Sequence, residues 1–264
     1  MPAPVAYLEK AWTTNPFESD AARKHSSYCG YHDGELVRLL EAAPVPILAR
    51  VANAAFRTFV LDDAFSCLGA KAAIRRNTYR LGVYTQLDDA DVTAGLMRDL
   101  YAFAEERRGF SGNFTTYVAI FANRRVADER AFERALWSQL QRLHDLDHPH
   151  RAWDSRVSDD PADPNFSFSI AGEAFFVIGL NPLATRTARR FAWPALVFNA
   201  HEQFEQLRAA GTFAGLQGQI RKRECRLDGA LNANLAEYGH HSEARQYSGR
   251  PVEADWQCPF ARHA

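Results

Sequence analysis

The feature that most constrains this chain is a junction. Residues 191–208 read FAWPALVFNAHEQFEQLR, and an apolar run from Ala195 to Phe198 stops at Asn199. The run is short and uncharged, as expected of a buried strand. Asn199 then reads as a helix N-cap, and Glu202, three residues on, completes a capping box of the N-x-x-E kind. This places His201 in the first turn of a helix, where a strand ends. Backbone N–H groups at a helix start carry partial positive charge, which disfavours an imidazolium. A neutral imidazole ligates metals, so the position suits iron or zinc. A partly buried histidine that supports the helix start is the other reading.

The rest of the chain fixes a fold class around that junction. Residues 79–84 (YRLGVY) and 114–121 (FTTYVAIF) are rich in β-branched and aromatic residues and read as strands. Residues 166–170 and 173–180 read as two strands joined at Ala171-Gly172, a two-residue hairpin signal. An alternating stretch in residues 52–61 reads as a further strand. Apolar residues at helical spacing mark helices over 91–107 and 128–146, the second through Phe132, Leu136, Leu140 and Leu143. Residues 68–76 (LGAKAAIRR) and 35–40 read as shorter helices, and 199–226 as helical with a break near Gly211. The first thirty residues read as an irregular arm. The loop 145–164, with its three prolines, reads as an excursion, because the strands on either side belong to one sheet. Short strands, a hairpin and helices of moderate length point to a single α+β domain over 1–264, with a largely antiparallel sheet packed by helices.

Several function classes drop out. Formal net charge is -1 and no long basic run occurs, which argues against nucleic acid. No segment is long and apolar enough to span a bilayer, and residues 1–12 lack a signal-peptide pattern, so a cytoplasmic protein is expected. No G-x-G-x-x-G, P-loop, H-E-x-x-H or G-x-S-x-G motif is present. The four cysteines, Cys29, Cys67, Cys225 and Cys258, are widely spaced and read as free thiols.

The residues left for chemistry lie in five places. On a helix, His201, Glu205 and Arg208 share one face, which suits a metal, a charged substrate and an anion meeting together. In residues 242–250 (SEARQYSGR), Tyr247 stands beside Arg245 and Arg250, whose guanidinium forks suit carboxylates or phosphates; a solvated loop is the alternative. Arg221, Arg223 and Arg226 form a basic cluster of the kind expected near a helix C-terminus. Cys258 precedes a proline and offers a thiolate to iron, while Cys67 stands before a helix, where a thiol pKa falls; both also read as packed small hydrophobes. Asp145, Asp147, His148 and His150 resemble a ligand set, but Pro149 bends the chain and no rigid element holds them, so a polar helix exit is preferred.

Taken in order, FSCLGAKAA, YRLGVY, NFTTYVAIF, FSFSIAGEAFFVIGLNP, FNAHEQFEQLR, SEARQYSGR and WQCPF strongly resemble the YqcI/YcgG-like family, over most of the chain from Cys67 to Phe260. One departure is Ala200, where the family pattern carries proline; either residue suits a first helical position. The resemblance implies a haem-dependent monooxygenase that N-hydroxylates a guanidino nitrogen, or a related amino-heterocycle nitrogen, of arginine or an arginine-derived substrate. It implies haem b, O2 and an external electron donor, either a redox partner or a small reductant. Within that frame His201 is the expected axial iron ligand, with Cys258 the rival. Arg245 and Arg250, beside Tyr247, are expected to hold the haem propionates. A guanidinium in a dry pocket needs a carboxylate, for which Glu243, Glu205 and Glu173 are candidates. A haem carrier or sensor without turnover, and a non-haem metal enzyme using His201 with the 145–150 cluster, are the competing readings.

Overall fold

The computed structural model describes residues 15–110, 114–123, 125–230 and 241–262. Its strands are β1 (Cys29–His32), β2 (Glu35–Arg38), β3 (Tyr79–Tyr84), β4 (Thr116–Phe121), β5 (Phe168–Ile170), β6 (Glu173–Leu180) and β7 (Ala195–Ala200). Its helices are α1 (Asp20–His25), α2 (Ile47–Leu61), α3 (Leu68–Arg76), α4 (Ala90–Glu106), α5 (Glu129–Asp147), α6 (His201–Ala209), α7 (Phe213–Asp228) and the short α8 (Ala244–Tyr247). The seven strands form one sheet in the order β2-β1-β3-β4-β7-β6-β5. Every pairing is antiparallel except β3 with β4, which α4 joins as a crossover. The fold is a single α+β domain, as the sequence pattern indicates.

Side-chain alternation divides the interior into two layers. Along β4, Tyr117, Ala119 and Phe121 face α4 and α5, whereas Val118 and Ile120 face α2 and α3. The first layer is strongly aromatic, with Phe132 and Trp137 of α5 and Phe103 of α4 packed on Phe175 and Phe198. This is where most of the 18 Phe residues are used. The hairpin between β5 and β6 turns at Ala171 and Gly172, both left-handed at φ 58° and 74°. The loop after α5 returns to the same sheet, where Asp154 accepts the Ala174 amide at 2.9 Å.

Three sequence expectations change. Residues 52–61 belong to helix α2: Ala49, Ala52, Asn53, Phe56 and Val60 are buried at helical spacing. The apparent alternation was a sampling of that period. Glu35–Arg38 is an edge strand paired with β1, because the left-handed turn at Asp33 and Gly34 folds it back as a hairpin. Within the first thirty residues, 15–30 are ordered structure, containing α1 packed on α4 and the start of β1; residues 1–14 lie outside the described residues.

Candidate functional site

Strand β7 runs directly into α6. Phe176 pairs with Asn199 and Ile178 with Val197, so these side chains share the sheet face on the α2/α3 side. Continuing the two-residue period from Val197 and Asn199 brings His201 to that face. The cap differs from the sequence reading. Ala200 occupies the N-cap position with no side-chain hydrogen bond, and Asn199 remains in the strand, its Nδ2 donating to the Phe176 carbonyl at 3.3 Å. Glu202 turns away to Arg107 at 3.0 Å. The start of α6 is instead held by Gln203, whose buried side chain accepts the Thr115 amide at 2.9 Å.

A cavity of about 290 Å3 lies on this face. Phe176, Ile178 and Val197 form its floor, Gly69, Ala70 and Ala73 of α3 one wall, and Phe213, Leu216 and Ile220 of α7 its cover. No residue of α7 is fully buried, so the apolar stripe of this helix faces the cavity and not a packed core. His201 is 6% exposed and lines the cavity. Its Nε2 lies 3.2 Å from Glu205 Oε1, and its Nδ1 lies 4.0 Å from Glu243 Oε2, beyond hydrogen-bonding distance. Burial holds the imidazole pKa below its ordinary value, opposed by the Glu205 carboxylate. The ring is therefore neutral at pH 7, with desolvation as the leading cause.

Glu243 also lines the cavity. Burial pushes its carboxyl up to about 8, against the hydrogen bond from Tyr247 at 2.6 Å. Ser167 lies beside the same carboxyl, but its hydroxyl does not reach hydrogen-bond geometry. Tyr247 is fully buried and stacks on Trp137. It sits behind Glu243 and does not line the cavity. Of the three candidate carboxylates, Glu243 alone lines the cavity: Glu205 reaches it through His201, and Glu173 is engaged by Arg107 and Arg108.

The remaining candidates are placed elsewhere. Arg250 pairs with Glu133 of α5 at 2.7 Å, and Arg245 donates to the Glu253 and Trp256 carbonyls at 2.6 and 3.2 Å. These guanidiniums fasten the C-terminal segment and do not line the cavity. The cationic side chains that line it are Arg189, Arg208 and Arg221. Arg189 is half-buried, its pKa is lowered to about 10 by desolvation, and it donates to the Gly179, Gln246 and Tyr247 carbonyls. Cys258 packs against the aromatic layer with its thiol pushed up to about 12 by burial, apart from His201. Cys67 lines the cavity as the N-cap of α3, but burial raises its pKa in place of the lowering expected at a helix start. Asp147 accepts from Tyr101 and the Ala171 amide, and His150 packs on Phe17. Among the described residues no group of three His, Cys, Asp or Glu side chains is placed to hold a metal ion, so the 145–150 cluster does not join His201.

Sequence reasoning missed Gln203, Arg189 and the role of α7. The signal for α7 was present in Phe213, Leu216 and Ile220, an apolar stripe on a helix otherwise too polar to be core.

An α+β sheet protein with one face opened into a covered apolar cavity, and a neutral histidine at its wall, is the class that fold and site define. The family model of the YqcI/YcgG family matches residues 56–261, and the chain belongs to that family. No curated protein and no solved structure matches it. No helix among the described residues is long and apolar enough to cross a membrane.

Proposed function

We propose that this chain binds haem b in the covered cavity and uses O2 to N-hydroxylate a guanidino nitrogen of arginine or an arginine-derived substrate. The observation that carries the reading is the His201 imidazole: neutral, buried and at the wall of an apolar cavity. A neutral ring nitrogen is the donor that haem iron takes. The residues fit the group in two further respects. Apolar side chains form floor and cover, as a porphyrin face requires, and Arg208 and Arg221 line the same cavity for its propionates. The volume is at the lower end for an organic ligand, so a group as large as a porphyrin enters with outward movement of α7.

Bound haem would supply the oxygen chemistry, one oxygen atom going to nitrogen and the other leaving as water, with an electron pair from an external donor. The chain's own residues bind and orient. Glu205 sits against Nε2 of His201 and biases which ring nitrogen carries the proton. The cover of α7 excludes water. Glu243, on the cavity wall, is neutral while the cavity is empty and gives up its proton to solvent as the substrate cation pairs with it.

A visible spectrum tests this reading. Protein expressed with ample iron and porphyrin precursor should show a strong Soret band, and His201→Ala should lose or shift it. Added arginine should change the spectrum, and reductant with oxygen should then yield N-hydroxyarginine. A colourless preparation overturns the proposal. A Soret band with no response to arginine or related guanidines leaves a carrier or sensor.

A further inference from the structure

A second opening on the same face of the sheet takes no part in this chemistry. It lies between α2 and the β1–β2 hairpin and measures about 460 Å3, within the range of small-molecule sites. Helix α2 turns Arg50, Asn53 and Arg57 toward it, at spacings of three and four that place all three on one helical face.

Each of these side chains has hydrogen-bonding capacity to spare. The Arg57 guanidinium lies over the Tyr31 ring, 3.9 Å from its centroid. Its Nη1 is held by the Ile74 carbonyl at 3.3 Å, Asn77 Oδ1 at 3.2 Å and the Tyr79 hydroxyl at 3.3 Å. These contacts fix the plane of the fork. Among the described residues no carboxylate pairs with it, and Nε and Nη2 make no hydrogen bond. Asn53 is only 3% exposed. Its Oδ1 takes the Tyr79 hydroxyl at 2.6 Å, while its Nδ2 has no acceptor among the described residues. Arg50 is exposed and likewise has no carboxylate partner there.

A fixed, unpaired guanidinium edge is preorganised for an oxyanion, which it binds through two parallel N–H bonds. Two cations and one amide on a single face match a dianionic, tetrahedral group better than a monoanionic carboxylate. The volume leaves room for an organic moiety beside that group. Leu36, Leu61 and Ala54 offer it apolar wall, and Glu35 on the hairpin offers an acceptor for a hydroxyl.

We propose that this groove binds a phosphate monoester of a small polar molecule, its phosphoryl oxygens taken by Arg57, Asn53 and Arg50. The proposal is independent of haem. Ribose 5-phosphate, inorganic phosphate, ribose and acetate are titrated into the full-length protein, followed by calorimetry and by amide chemical shifts. Ribose 5-phosphate should saturate, inorganic phosphate should bind more weakly, and the other two should not bind. Arg50→Gln should weaken ribose 5-phosphate at least tenfold, whereas Glu35→Gln, which removes the opposing charge, should bind inorganic phosphate up to fivefold tighter. Both positions are exposed, so neither variant depends on refolding a core. Arg57→Lys keeps the charge, loses the fork and should weaken binding by a similar factor. Absence of saturation, equal affinity in wild type and Arg50→Gln, or acetate binding as tight as ribose 5-phosphate each overturns the assignment.

Discussion

The Tyr247 hydroxyl and the Glu243 carboxyl stand 2.6 Å apart, with the hydroxyl as donor. The Phe168 amide donates to the hydroxyl at 3.1 Å, and the Phe175 carbonyl accepts from it at 3.3 Å. A hydroxyl carries one proton, which it shares between the carboxyl and the more distant carbonyl. Burial raises the carboxyl pKa to about 8 in spite of that bond, so the carboxyl is neutral at pH 7 and accepts through its carbonyl oxygen. Glutamine offers the same acceptor at the same place, so Glu243→Gln should unfold in urea within about 1 kcal/mol of wild type. Tyr247→Phe leaves a buried amide and carbonyl without their partner and should cost roughly 1–3 kcal/mol. Equal losses in the two variants would contradict the neutral assignment.

Arg250 separates structural cations from cavity cations. It is paired with Glu133 of α5, and both side chains are about one-tenth exposed. Removing one partner of a buried pair leaves the other charge stranded, at a cost of about 3–5 kcal/mol. Arg250→Gln should therefore lower the urea midpoint sharply. Arg208 lines the cavity and pairs with a half-exposed Glu205, so Arg208→Gln should barely move that midpoint while weakening ligand retention. The opposite pattern would return Arg250 to the binding site.

Much of this arrangement was legible in the sequence because periodicity reports burial directly. The α5 stripe, the β4 run, the hairpin at Ala171-Gly172 and the break near Gly211 all appear where the pattern puts them. His201 was legible as a neutral ring at a strand–helix junction, although the leading cause is burial and the cap is not Asn199. What failed was partner assignment. Arg245 and Arg250 look like binding residues in one dimension, since sequence does not show that Glu133 and the carbonyls of the C-terminal segment lie against them. Residues 52–61 failed for a different reason. An aromatic, β-branched stretch satisfies strand and helix periods alike until its packing partners are known.

Asp99 gives the protein an unusual response to pH. Its carboxyl is completely buried on α4 and accepts from the Ser26 and Tyr84 hydroxyls and the Ser27 amide. Burial outweighs these bonds and raises the pKa from 3.8 to about 6. Between those values the folded chain keeps a proton that the unfolded chain has released. The contribution of Asp99 to stability is thus full below pH 3.8, falls as pH rises toward 6 and is flat above. The span corresponds to a decline on the order of 3 kcal/mol. Asp99→Asn has no such proton to lose. The stability of the variant relative to wild type should therefore climb by a comparable amount between pH 4 and pH 6.5 in urea titrations. A relative stability that stays level over that range would show that Asp99 is ionised throughout.

The cover of the cavity is weak at one end by construction. The C-terminal half of α7 is tied down: Asp228 accepts the Thr187 amide and hydroxyl at 3.1 and 2.7 Å, and Arg223 donates to the Asp63 carbonyl at 3.0 Å. The N-terminal half holds Phe213 under the Arg208 guanidinium, and it contains Gly215 and Gly218. A methyl group at either glycine would meet nothing within 4 Å. Glycine in a helix interior costs roughly 0.5–1 kcal/mol against alanine, so this half opens more readily than its neighbour. Gly215→Ala with Gly218→Ala should stabilise the closed cover by about 1–2 kcal/mol, which is roughly a 5- to 30-fold slowing of local opening. Amide exchange across residues 213–220 should slow by that factor while α5 is unaffected, and uptake of a cavity ligand should slow with it. Unchanged exchange in the double variant would mean that packing, and not helix propensity, sets the opening of this cover.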